Sequence, residues 1–162
     1  MIEFTVYGLP APQGSKRYVG NGVMIESSKK VKPWREAVKW AAREAMAAAG
    51  IASPLDAPLV ASMTLTMPRP KSSPKSRRHA DRKPDLSKLI RSTEDALTDA
   101  GLIADDARIV MFEAAKVYPG EGAGSLTSPG ARIRLELADQ PAIKEAADAV
   151  ERSYDAEENP CG

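Results

Sequence analysis

Residues 83–110 read KPDLSKLIRSTEDALTDAGLIADDARIV. Pro84 and Asp85 mark a helix start, and Leu86, Leu89, Ile90, Ala96, Leu97 and Ala100 recur at helical spacing until Gly101 supplies a C-terminal stop. Asp105 and Asp106 then fall in a short loop ahead of a stretch rich in β-branched and aromatic residues, which predicts a strand over residues 107–118. Acidic groups therefore stand at both boundaries of one helix, and the ends of elements are where ligands are usually held.

Working outward, Ile2, Phe4 and Val6 alternate with Glu3, Thr5 and Tyr7, a strand pattern that breaks at Pro10 and Pro12. Residues 17–19 and 23–25 flank Gly20-Asn21-Gly22, a hairpin signal. Pro33 opens a helix whose stripe of Trp34, Ala37, Val38, Ala41, Ala42, Ala45, Ala48 and Ala49 ends at Gly50. A strand is expected over residues 59–67, followed by a basic loop to Lys83. Past residue 118, a glycine-rich stretch over residues 119–130 reads as a mobile hairpin loop leading to a last strand, in which Arg132, Arg134 and Glu136 alternate with Ile133, Leu135 and Leu137. An amphipathic helix over residues 141–154 and an acidic tail close the chain. These elements predict a single α/β (α+β) domain over residues 1–138, a mixed sheet packed by two main helices, with the C-terminal helix and tail over residues 139–162.

The chain has 162 residues, 43% of them apolar, which suits one domain with one core. No basic segment leads into an apolar one at the N-terminus, and no apolar run approaches membrane-spanning length, so a cytoplasmic protein without a membrane partner is expected. The single cysteine, Cys161, excludes an intrachain disulfide and a cysteine-based zinc site, and the single histidine, His79, excludes a histidine metal cluster. The net charge of +1 conceals an asymmetry: residues 1–91 carry 17 Lys/Arg against 7 Asp/Glu, whereas residues 92–162 carry 6 against 15. The most basic part, residues 69–83, holds seven Lys/Arg and one acid, Asp81, and runs directly into Asp85. Phosphates are attracted to such a segment.

Each carboxylate has a plain structural reading. Asp85 suits a helix cap, and Asp105 and Asp106 suit a turn. The combination favours chemistry: three carboxylates flank one helix behind a basic loop, and a serine or cysteine nucleophile would need a base where His79 is the only imidazole. Oxygen donors from aspartate select hard cations such as Mg²⁺ or Mn²⁺, which matches metal-assisted phosphodiester hydrolysis. Asp95 cannot share an ion with Asp85, because ten residues of helix rise about 15 Å. Its plain reading is an ion pair with Arg91 at i, i+4 spacing.

At this point the chain resembles the RusA family of Holliday junction resolvases over roughly residues 1–138. The likeness is carried by LPAPQGSKR at residues 9–17, Asp85-Leu86-Ser87-Lys88-Leu89 at the helix start, Arg91 at the position of a family lysine, Asp95-Ala96-Leu97, and Asp105-Asp106 before a strand. The resemblance implies a homodimeric, Mg²⁺-dependent endonuclease that nicks opposing strands of a four-way DNA junction in a bacterial or phage-infected cell, with Mn²⁺ as a substitute ion. It implies metal binding by Asp85 and Asp106, with Arg91 supporting catalysis. Ser87 stands where the family has a carboxylate, and Asp105 is the first choice to replace it, ahead of Asp81 and the Ser87 hydroxyl acting through water. Arg91 cannot exchange a proton as a lysine can.

The same likeness and the local charge predict DNA contacts from Lys16, Arg17, Arg69, Lys71, Lys75, Arg77, Arg78, Arg82, Lys83, Lys88 and Lys116. Lys116 has a plain alternative as cover for apolar surface. Trp40 lies away from the alanine stripe of its helix, where a dimer contact, a stacked base or cover by the C-terminal helix are the readings, protein packing being favoured. The rival to the nuclease is a junction-binding protein of the same fold that does not cut, with Ser87 marking loss of the metal site. A third class is an adaptor or RNA-binding protein whose aspartates are only caps.

Overall fold

The computed structural model describes residues 1–14, 16–18, 24–26, 29–74, 76–139, 144, 145, 147–149 and 152, with side chains left aside in 16–18 and 24–26. In chain order the elements are β1 (Ile2–Tyr7), β2 (Lys16–Tyr18), β3 (Met24–Glu26), α1 (Val31–Ala48), β4 (Leu59–Thr66), α2 (Leu86–Ala100), a 3₁₀ turn (Asp106–Arg108), β5 (Ile109–Val117) and β6 (Gly130–Leu137). β1, β6, β4 and β5 form a four-stranded mixed sheet in that order, and β2 pairs with β3 as a separate antiparallel ribbon. The expected α+β domain is thus observed. The Gly20-Asn21-Gly22 turn lies outside the described residues. So do most positions of the expected C-terminal helix, whose residues 144, 145, 147–149 and 152 are helical.

One strand connection differs from expectation. β5 and β6 do not pair with each other: β4 lies between them, parallel to β5 and antiparallel to β6. Residues 118–129 therefore arch over the end of β4 and are packed there, not joined as a hairpin loop. The Leu126 amide donates to Thr66 Oγ1 at 2.9 Å, and Thr66 is fully buried. Gly130 faces the Val6 carbonyl so closely that a Cβ would sit 2.2 Å from its oxygen, so no other residue fits there without backbone movement.

Both long helices pack on one side of the sheet. Trp34, Val38 and Ala42 of α1 and Leu89, Ala96 and Leu97 of α2 are buried against Leu59, Met63, Leu65, Ile133 and Leu135 of the strands. Burying a leucine of this kind contributes about 1.5–3 kcal/mol. The helices are joined by polar contacts as well: Trp34 Nε1 donates to Thr93 Oγ1 at 3.2 Å, and Arg35 pairs with Asp95 at 3.5 Å and Asp99 at 2.6 Å. Asp95 thus turns toward α1 and not toward Arg91, because a buried interface lies on that side of α2.

The route from β4 through α2 to β5 positions everything that follows. Because β4 and β5 run parallel, α2 must run back along the sheet between them. Its N-terminus lies at the end of the sheet where β5 finishes, and its C-terminus at the end where β5 begins. Gly101 closes it in the left-handed conformation at φ 79°, as its place in the sequence predicts.

Candidate nuclease site

Asp85 occupies the cap position of α2 with extended backbone (φ −68°, ψ 138°), yet its side chain makes no capping hydrogen bond. Its Oδ2 instead lies 3.3 Å from Lys88 Nζ, one turn along. The carboxylate is therefore not consumed by the helix end and is half exposed, at the mouth of a cleft of about 630 Å³. Lys30, Arg82, Lys83 and Lys88 line this cleft beside Asp85, so one acid stands among four cations. Ser87 is exposed on the same first turn of α2.

The segment that delivers Asp85 and the first turns of α2 are held by two other parts of the chain. Lys116 Nζ, projecting from β5, donates to the carbonyl oxygens of Arg82 and Pro84, both at 2.7 Å. The N-terminal segment crosses α2: Ser92 Oγ donates to the Ala11 carbonyl at 2.6 Å, and the Gln13 amide to the Lys88 carbonyl at 3.0 Å. Lys116 is accordingly a positioning residue, a third role beside the two expected of it.

Asp105 and Asp106 lie at the other end of α2. Asp105 Oδ1 accepts from the Ala107 amide at 2.8 Å, so the turn reading of this residue holds and one of its oxygens is engaged. Asp106 opens the 3₁₀ turn and is exposed. The turn is anchored by Arg108 Nε on Asp56 Oδ1 at 2.6 Å and by Leu55, whose amide donates to Leu102 O and whose carbonyl accepts from Ala104 N.

With α2 spanning Leu86–Ala100, its rise separates the two ends by about 20 Å. Asp85 thus precedes the first turn of α2, and Asp105 and Asp106 follow the residue that closes it. Among the described residues, no group of three His, Cys, Asp or Glu side chains is placed to hold a metal ion.

Sequence reading missed Glu94. This residue is half-buried on α2, and burial, followed by the charges of Asp106 and Asp95, holds its carboxyl above the usual range, with Arg91 opposing. The charges of Asp106 and Asp95 thus act on Glu94 in one direction and that of Arg91 in the other. The available signal was its i, i+3 spacing from Arg91.

The expected DNA contacts divide. Lys71, Arg78, Arg82 and Lys83 are exposed, and Arg77 is partly exposed and pairs with Asp81 at 3.0 Å. Arg69 turns inward: it donates to the Arg77 carbonyl at 2.7 Å and to Glu121 Oε1 at 2.9 Å, and its guanidinium lies 4.6 Å from the centroid of the buried Tyr118 ring. It ties the basic loop to the arch after β5. The side chains of Lys16 and Arg17 and all of Lys75 lie outside the described residues. Trp40 is 68% exposed, as its place on α1 predicts. No helix among the described residues is long and apolar enough to cross a membrane.

A mixed sheet backed by two helices, with a cleft that sets one aspartate among four cations, defines a small α+β protein. The sequence model of the family described as Endodeoxyribonuclease RusA matches residues 8–126, and the chain belongs to that family of endodeoxyribonucleases. The match ends ahead of β6, so the centrally placed last strand lies beyond it. No curated protein matches the chain.

Proposed function

We propose that this chain is a structure-selective endonuclease that resolves four-way DNA junctions as a homodimer, hydrolysing one phosphodiester in each of two opposed strands. The observation that carries this reading is Asp85, a carboxylate that makes no capping hydrogen bond and is set among Lys30, Arg82, Lys83 and Lys88 in a chain of the RusA family. The cations draw the DNA backbone in without reading its sequence. The aspartate oxygens suit Mg²⁺ or Mn²⁺, and such an ion, when bound, acidifies a water and screens charge at the phosphodiester.

The donor chemistry fits a hard cation, but one chain is a ligand short, and a second copy supplies what is missing. β5 is an edge of the sheet, with Val110 51% exposed upon it. A twofold axis that sets two β5 edges antiparallel brings Asp85 of one protomer to Asp106 of the partner subunit, and does so twice. Glu94, beside Asp106, then offers the carboxylate that Ser87 does not. Arg91, unable to pass a proton readily, screens the phosphate charge. Two such sites related by symmetry suit paired nicks.

The rival, a junction-binding protein that does not cut, draws on Ser87. A labelled four-way junction and a matched linear duplex, each incubated with Mg²⁺, Mn²⁺ or chelator, separate the two. The nuclease reading expects paired, metal-dependent nicks on the junction alone, lost in Asp106→Asn while binding persists. Binding without cleavage under either cation would make this a non-catalytic member of the fold.

A further inference from the structure

The cleft beside Asp85 is deeper and more apolar than a track for phosphates requires. Its floor is formed by Met67, Ala80 and Tyr118, exposed by only 6%, 6% and 2%. Five prolines, Pro10, Pro12, Pro68, Pro70 and Pro84, stand in its walls. Proline has no N–H and a fixed φ, so these five positions are stiff and add no amide donor to the walls. Above the floor the side-chain charges are Lys30, Arg82, Lys83 and Lys88 against Asp85. At about 630 Å³ the cleft falls within the range of small-ligand sites.

An apolar slot under a cationic rim matches a flat, apolar group tied to an anion. We propose that the cleft receives one unstacked nucleobase of the bound DNA, with the adjoining phosphate held on the Lys30, Arg82, Lys83 and Lys88 rim. Every base has a π-face, so apolar, proline-rich walls accept it with little preference for its identity. Drawing a base from its stack costs least where stacking is already interrupted, as at a branch point. The slot thus gives the protein a means of favouring branched over linear duplex DNA, and it anchors the strand whose phosphodiester is presented to Asp85. In naming how substrate is held, this inference rests on the nuclease reading.

The test needs no cleavage. The full chain, labelled at methionine and alanine methyls, is titrated in chelator with a single strand of four thymidines and with an abasic strand of equal length and charge. The base-bearing strand is expected to shift the Met67 and Ala80 methyl signals and to bind at least about fivefold tighter, the lower end of base-stacking effects. Equal affinities, or methyl signals unmoved by thymidine, would overturn the subsite. Nicking of a junction by a chain that fails this test would leave the nuclease reading standing without the subsite, and base-dependent shifts in a chain that never nicks would do the reverse.

Discussion

The Lys116 ammonium lies 2.7 Å from the Pro84 carbonyl oxygen, and by the same reach it holds the Arg82 carbonyl, fixing from β5 the residue that precedes Asp85. Removing the charge in Lys116→Met leaves both carbonyls without this donor and lets the entry to α2 shift. A displacement of about 1 Å at a reacting group costs on the order of a hundredfold in rate. Steady-state cleavage of a four-way junction is expected to show kcat falling by about that factor with KM changed little, and Lys116→Arg restoring part of it. A change confined to KM would assign Lys116 to substrate binding instead.

Arg69 and Arg82 occupy the same basic loop and should behave differently. Arg69 joins the Arg77 carbonyl, Glu121 and the Tyr118 ring, so Arg69→Ala is expected to destabilise the fold by about 1–3 kcal/mol. Arg82, exposed on the cleft rim, is expected to leave the melting temperature unchanged in Arg82→Ala. That variant should reduce the slope of log affinity against log salt by about one unit. Thermal melts and salt-dependent DNA binding on both variants check this. Equal behaviour would contradict the division of the loop into anchor and contact.

Much of this was legible in the chain. Helix α2 follows from Leu86, Leu89, Ala96 and Leu97 between Pro84 and Gly101, and β6 from its strict alternation, because periodicity records which face is buried. Strand order was not legible. β5 and β6 are consecutive and read as a hairpin, yet β4 enters between them, since a parallel crossover through α2 leaves a slot that no local pattern marks. The 1.5 Å rise that keeps Asp95 from the Asp85 ion applies only within the helix, so the placement of Asp105 and Asp106, which follow Gly101, rests on the tertiary fold. Asp95 itself pairs with Arg35, a contact across 60 residues that spacing along one helix cannot reveal.

Glu94 gives a prediction with opposite signs in two readouts. Its carboxyl is held above the usual range by burial and by Asp106 and Asp95, so the folded state favours the protonated form. Stability from this group is present at low pH and declines as pH rises through the raised value. In chelator at neutral pH, Glu94→Gln is therefore expected to raise the melting temperature, a gain that vanishes as the pH is lowered. The same variant is expected to need more Mg²⁺ for half-maximal nicking. A loss of stability at neutral pH would contradict the charge repulsion, and an unchanged Mg²⁺ requirement would remove Glu94 from the ion site.

The most direct measurement concerns whether one site is built from two chains. Asp85→Asn and Asp106→Asn are each prepared alone, where both are expected to be inactive on a four-way junction, and then co-expressed. In a shared site, half the dimers are mixed and each mixed dimer carries one intact Asp85 and Asp106 set, so about a quarter of the sites work, delivering single unpaired nicks. No recovery of nicking in the co-expressed pair, with the unsubstituted protein active, would place both aspartates in the service of one chain and contradict the shared site.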